Sequence, residues 1–443
     1  MDFWIRAAQL VLSLSILVIL HELGHYIPAK LFKTRVEKFY LFFNPWFSLY
    51  KKKIKDTEWG IGWLPLGGYV KIAGMIDESM DKKQMAQPAQ PWEFRSKPAW
   101  QRLIIMIGGV TVNLLLGLFI YIFVVFAYGE EKVAPNELTH GLEVHPYLSK
   151  YGIQSGDIIT KLDGQPLESA LDANAEIMLR GKRSISIQKI DGSKKTVQLP
   201  ENVEYELFKK GAFPAFSLRS KALKVDSIIP LSLAEEMGLK KGDEFILINN
   251  KKPEYFDDIK TELYTKKNKK IEIQVLRNQK DTLLLHNVVS EEGTLGFVVT
   301  PTFIDQNKIK HVDYSFGESV GRGVNKGMNI LGDYMAQMKF LFTEKGASSI
   351  GGFGSIGKMF PPEWDWQIFW LNTAFISIAL AFMNILPIPA LDGGHVVFLI
   401  YEMITGKEAP QKVLEIAQYI GFILLLGLLL YANGNDLFRF LFK

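Results

Sequence analysis

A chain of 443 residues with 48% hydrophobic side chains and a formal net charge of +4 is too long for one ordinary soluble domain, and its charge balance makes no case for nucleic acid. It contains no cysteine, which removes disulfides and thiolate metal ligands together. Any metal must be held by carboxylates or by the seven histidines, at 21, 25, 140, 145, 286, 311 and 395.

Residues 7–20 are apolar apart from Gln9, Ser13 and Ser15, and run straight into His21-Glu22-Leu23-Gly24-His25. Fourteen residues fall short of the roughly 20 that cross a bilayer core. The segment spans only if its helix continues through this motif to about Ile27, with Pro28 as a natural stop. A cleaved signal peptide does not fit, because no small-residue cleavage site follows. On a helix, His-Glu-x-x-His sets two imidazoles one turn apart with a carboxylate beside them, which is the ligand pair and general base of a zinc hydrolase. Such a site still needs a third protein ligand and an open position for water.

Fourteen Lys and Arg lie between Lys30 and Arg102, among them Lys51, Lys52, Lys53, Lys55, Lys82 and Lys83. Their concentration near membrane ends marks a cytoplasmic segment, so the N-terminus is placed outside and His21-Glu22-x-x-His25 toward the cytoplasmic face. Within this segment residues 58–71, broken by Pro65, Gly67 and Gly68, predict a β-hairpin. Trp46, Trp59, Trp63 and Trp92 suit interface anchors.

Residues 103–128 form a second span, and residues 129–366 then lie outside. This stretch repeats itself: Gly152-Ile-Gln-Ser-Gly156-Asp157 recurs as Gly238-Leu-Lys-Lys-Gly242-Asp243, each followed by an alternating strand and a turn. Residues 320–342 carry apolar side chains at helical spacing and predict an amphipathic helix near the surface, and 347–357 a flexible or tightly turning loop. A third span, 369–386, ends in Asn384-Ile-Leu-Pro387-Ile-Pro389-Ala-Leu-Asp392-Gly-Gly-His395 on the cytoplasmic side. A fourth, 413–431, carries Glu415 and Gln418 near its start. Asp392 is the favoured third ligand and His395 the competing one, since an unpaired carboxylate at that depth is costly and a cation partner offsets it. Asn384 either bridges helices or donates to a substrate carbonyl.

These motifs in this order resemble the site-2 protease family, in its regulator of sigma-E protease (RseP-type) branch, and the repeats resemble PDZ domains. The resemblance implies a polytopic α-helical membrane protein with four transmembrane helices, a membrane-associated β-hairpin and two inserted extracytoplasmic PDZ-like α/β domains. It divides the chain into residues 1–133, 134–215 and 216–303 (the two PDZ-like domains), 304–365 as an amphipathic linker, and 366–443. It implies Zn2+ on His21, His25 and Asp392, with Glu22 catalytic. Substrate contacts then fall to Asn384, Gly67, Gly68, Tyr69, Pro387 and Pro389. The implied activity is intramembrane proteolysis of single-span membrane proteins, such as an anti-sigma factor trimmed by an upstream protease, within a stress response. The implied location is a bacterial inner membrane, with both termini and the PDZ-like domains periplasmic. Partners are that substrate and the lipid bilayer, with no nucleic acid. The chain departs from the family at Phe42-Phe43-Asn44-Pro45, Gly109-Val110 and Gly351-Gly352-Phe353, which touches no proposed ligand but bears on substrate preference. The competing readings are a membrane zinc peptidase of another His-Glu-x-x-His family and a non-catalytic PDZ scaffold.

Overall fold

The first apolar run folds as one helix, α1 (Asp2–Leu31), in a computed structural model that describes residues 2–65, 67–75 and 87–442. Lys82 and Lys83 fall outside the described residues. Contrary to the expected stop, α1 runs through Pro28, and Phe32 N–H still donates to the Pro28 carbonyl (3.0 Å). Proline forfeits only the bond to residue 24. That residue is Gly24, whose backbone is already pressed against another helix. Among the described residues four helices are long and apolar enough to cross a membrane: α1, α2 (Ala99–Tyr128), α6 (Trp366–Ile385) and α8 (Gln411–Phe442). They belong to a unit made of residues 1–129 and 313–443.

Close backbone approach sets the α1–α2 crossing. A Cβ on Gly24 would lie 2.5 Å from the Gly108 carbonyl oxygen. Buried polar residues add specific links in an apolar setting: Thr373 of α6 donates to Ser13 (2.9 Å), and Gln9 donates to the Pro361 carbonyl (2.9 Å).

The expected hairpin at 58–71 is instead part of a four-stranded sheet. Its strands are β1 (Val36–Leu41), β2 (Phe43–Ile54), β3 (Thr57–Leu64) and β4 (Tyr69–Ile72), in the order β2-β3-β1-β4. The true hairpin is β2–β3; β1 pairs parallel to β3 and antiparallel to β4. Residues 58–71 therefore contribute two strands that do not touch, because β1 has inserted between them. β4 is an edge strand.

After the repeat region, α3 (Phe316–Leu341) starts with a Ser315–Glu318 capping box. Its buried positions are Ser319, Gly323, Gly327 and Phe340, while Val320, Met328 and Met335 are exposed. Gly323 and Gly327 bring α3 close to Ile122 and Leu118 of α2, and Leu331 of the predicted stripe packs against the cluster that includes Ile120, Tyr121 and Val124. The loop expected at 347–357 is largely helical, as α4 (Glu344–Ser349) and α5 (Phe353–Gly357). Thr343 caps α4 locally, while Asp436 of α8 accepts from Gly352 N–H (2.9 Å) and Ser355 N–H (2.8 Å) and so supplies the cap that the sequence around α5 lacks. The last elements are α7 (Asp392–Thr405) and α8.

Residues 130–312 form a second unit, closed where the strand Glu130–Lys132 pairs with Lys310–Val312. It holds two apolar cores. One is built around Leu142, Ile159, Ile185 and Phe216, the other around Val225, Phe245, Ile259 and Ile273. The strand Phe216–Leu218 pairs with Leu142–Val144 and belongs to the first core; Phe297–Val298 pairs with Ser227–Ile228 in the second. The repeated Gly-Asp turns have one geometry. Asp157 accepts from Gln154 N–H (2.8 Å) and Lys189 Nζ (2.9 Å), and Asp243 from Lys240 N–H (2.9 Å) and Arg277 Nε (2.8 Å). Burial works against the charge of Asp243, but Arg277 and the Lys240 N–H more than offset it and hold its carboxyl below the usual range.

Candidate metal centre

The helical spacing of α1 does what the motif requires: His21 and His25 stand one turn apart, their Nε2 atoms 3.2 Å from each other. Helix α2 fixes both rings. His25 Nδ1 lies 2.8 Å from the Ile105 carbonyl oxygen, which only accepts, so Nδ1 carries the proton and Nε2 presents a lone pair. His21 Nδ1 lies 3.2 Å from the Asn113 carboxamide. The two ends of a carboxamide exchange by a half-turn. With the oxygen toward the ring, Asn113 Oδ1 accepts from His21 Nδ1–H, which leaves the His21 Nε2 with a lone pair. Ser377 of α6 in turn donates to the Asn113 backbone carbonyl (2.7 Å).

Asp392 arrives as the first residue of α7 without capping that helix. After α6 the chain doubles back through Pro387 and Pro389, and Gly393 and Gly394 permit the reversal. A Cβ on Gly393 would lie 2.1 Å from the Leu386 carbonyl oxygen. The Asp392 Oδ2 ends 3.4 Å from His21 Nε2 and 3.4 Å from His25 Nε2. It is buried and has no hydrogen bond of normal geometry. Three lone-pair-bearing atoms thus converge, which is unfavourable without a cation among them. A tetrahedral ion with bonds of 2.0–2.1 Å needs ligand atoms about 3.3–3.4 Å apart, and the observed triangle fits zinc. His395, one turn further along α7, lines the same cavity but stands outside this triangle.

The cavity beside the triangle has a volume of about 530 Å³. Glu22, buried next to the two imidazoles, lines it, as do Gly67, Gly68 and Tyr69 at the start of edge strand β4. A Cβ on Gly68 would meet Val18 and the Tyr40 carbonyl at 2.6 Å, so only glycine brings this strand so near to α1. Asn384 at the end of α6 places Nδ2 3.5 Å from His21 Nε2. Pro387 and Pro389 do not line the cavity. Pro387 is exposed, and Pro389 packs by its backbone against Gly421 of α8.

Sequence reasoning missed four supporting groups: the Ile105 carbonyl, Gly109, Asn113 as a partner of His21, and Gln418. A Cβ on Gly109 would lie 2.4 Å from His25 Nε2. Gln418 accepts from Ala390 N–H (3.2 Å) and steadies the turn that delivers Asp392. Buried polar side chains at 113 and 418 within apolar runs were the available signal.

A family model described as Peptidase family M50 matches residues 9–428. The chain belongs to peptidase family M50. It is a metalloendopeptidase of the site-2 protease type. It is similar to the Regulator of sigma E protease of Haemophilus influenzae, 27% identical over 464 residues covering 99% of this chain and 100% of the relative. Two further relatives, from Neisseria meningitidis and Vibrio cholerae, carry the name "Putative zinc metalloprotease". Each is 28% identical across 97% of this chain, covering 98% and 97% of the relatives.

Proposed function

We propose that this M50 peptidase is a zinc-dependent endopeptidase that cuts the transmembrane segments of single-span proteins in a bacterial inner membrane. The observation that carries this reading is the ligand triangle of His21 and His25, on a membrane-length helix, and Asp392, at the turn that follows another, beside an open strand edge. When bound, zinc acts as a Lewis acid and makes water an effective nucleophile near neutral pH. Glu22 takes the proton of the attacking water and returns it to the leaving amine. Asn384 donates to the scissile carbonyl, where negative charge develops.

A substrate helix conceals its peptide bonds and must unwind locally, and in lipid its freed backbone groups need partners. Edge strand β4, with Gly67, Gly68 and Tyr69 on the cavity, offers an unpaired row of such groups for an added strand. The two halves of residues 130–312 are read as tandem periplasmic PDZ-like domains, on the strength of their duplicated Gly-Asp turn. Residues 30–102 face the cytoplasm by their Lys and Arg content. An anti-sigma factor trimmed by another protease is the proposed substrate, in keeping with the likeness to the sigma E relative.

The test co-expresses the protein with tagged single-span candidates, and with Glu22→Gln in parallel. Processing by wild type and its absence in Glu22→Gln are expected; equal processing by both would overturn the assignment. Zinc content after Asp392→Ala and His395→Ala decides the third ligand. Loss in the first alone is expected, and loss in the second alone would transfer the role to His395.

A further inference from the structure

The β2–β3 hairpin contains a surface that the peptidase reaction does not use. At one end Trp46 is 91% exposed, next to exposed Phe47, Leu49 and Tyr50. This projection is built in rather than incidental. Trp46 has a φ of +69° within a stretch of broken register, an unfavourable conformation for a bulky L-residue. Trp63 of β3 holds it there, stacking on both Trp46 and Phe47 and donating from Nε1 to the Pro45 carbonyl (2.8 Å).

At the other end of the hairpin Lys51, Lys52, Lys53 and Lys55 are all exposed around the turn. Among the described residues no carboxylate lies within 4.0 Å of any of the four ammonium groups. The hairpin has only two acidic residues, Asp56 and Glu58, and Glu58 is already engaged by the Tyr40 hydroxyl (2.8 Å). An aromatic end followed along one ribbon by an unneutralised lysine end matches, in order, the apolar margin and the charged surface of a bilayer.

We propose that the β2–β3 hairpin is a binding surface for anionic lipid headgroups, with Lys51, Lys52, Lys53 and Lys55 as the headgroup contacts and Trp46 and Phe47 as the wedge that sets depth. This rests on the reading that the sheet lies at the membrane surface. The shared sheet then gives the surface a function. β2 connects through β3 and β1 to β4, so headgroups that hold the hairpin also hold the substrate-receiving edge at a fixed depth.

Because the chain has no cysteine, a single introduced one can be labelled alone. The zinc-loaded full chain carrying a nitroxide at Ile54→Cys, or separately at Trp46→Cys, is placed in nanodiscs of phosphatidylcholine with or without phosphatidylglycerol. Collision with a neutral water-soluble nickel chelate reports depth. At position 54, phosphatidylglycerol is expected to reduce accessibility by about twofold or more, and 0.5 M salt or glutamine at all four lysines to abolish that response. The glutamine variant keeps its zinc content, which verifies folding. Equal accessibility at 54 in both lipids overturns the headgroup proposal, as does a response that survives the glutamine substitutions. A label at position 46 that is fully accessible in either lipid instead overturns the placement of the sheet at the membrane.

Discussion

Two kinds of buried aspartate in this molecule are satisfied in opposite ways. Asp157 and Asp243, in the repeated turns of the second unit, accept from an amide three residues back and from a cation at the end of a neighbouring strand, Lys189 just past one and Arg277 closing the other. Asp392 sits at the start of a helix with an oxygen that has no hydrogen bond and faces two imidazole lone pairs. A buried carboxylate with its own donors holds a fold together. One denied donors, where they would be easy to supply, is reserved for something that binds.

The difference predicts opposite responses to removal. The largest effect is expected at the centre itself: Asp392→Ala abolishes zinc retention, read by metal analysis after chelation, and cleavage with it. The variant is expected to unfold no earlier than zinc-free wild type, because an uncompensated charge has gone. Glu22→Gln should lower cleavage by about 10²–10⁴-fold while zinc content stays stoichiometric, since in the proposed mechanism Glu22 moves a proton and does not bind the metal. Asp243→Ala should do the reverse. It is expected to cost about 3 kcal/mol by stranding Arg277, seen as lost hydrogen-exchange protection across residues 225–299 with zinc binding unchanged.

Asn113→Leu sharpens the contrast further. It removes a partner of a ligand rather than a ligand, so zinc affinity should fall by about tenfold, measured by chelator competition, with helix content intact. The smallest effect is in the acid stability of the second unit. The Asp243 carboxyl is lowered in the fold, so its contribution is present above the unfolded carboxylate pKa of about 3.9 and fades as pH falls through the lower folded value. Asp243→Asn should flatten that acid limb, and an unchanged limb would assign it to other groups.

What the sequence disclosed follows from how locally each feature is written. His21, Glu22 and His25 lie within one helical turn, and Asp392 within a short motif after a span, so their chemistry is readable in line. The sheet is not, because the pairing of β1 with β3 joins residues 38–41 to 58–61 only after β2 has turned back. The helix at 353–357 owes its cap to Asp436 and Asn433, about 80 residues away, whereas Thr343 caps the helix at 344–349 from within its own sequence. The groups that orient the imidazoles come from a different helix altogether, and one of them, the Ile105 carbonyl, belongs to the backbone and has no sequence signature.

That last contact makes metal affinity a gauge of helix spacing. No side-chain replacement can remove the atom that sets the His25 tautomer; it moves only if α2 moves against α1. Their separation is set where Gly24 meets Gly108, three residues along α2 from Ile105. A single methyl at that contact would push α1 and α2 apart and so loosen the hold of the Ile105 carbonyl on the His25 ring.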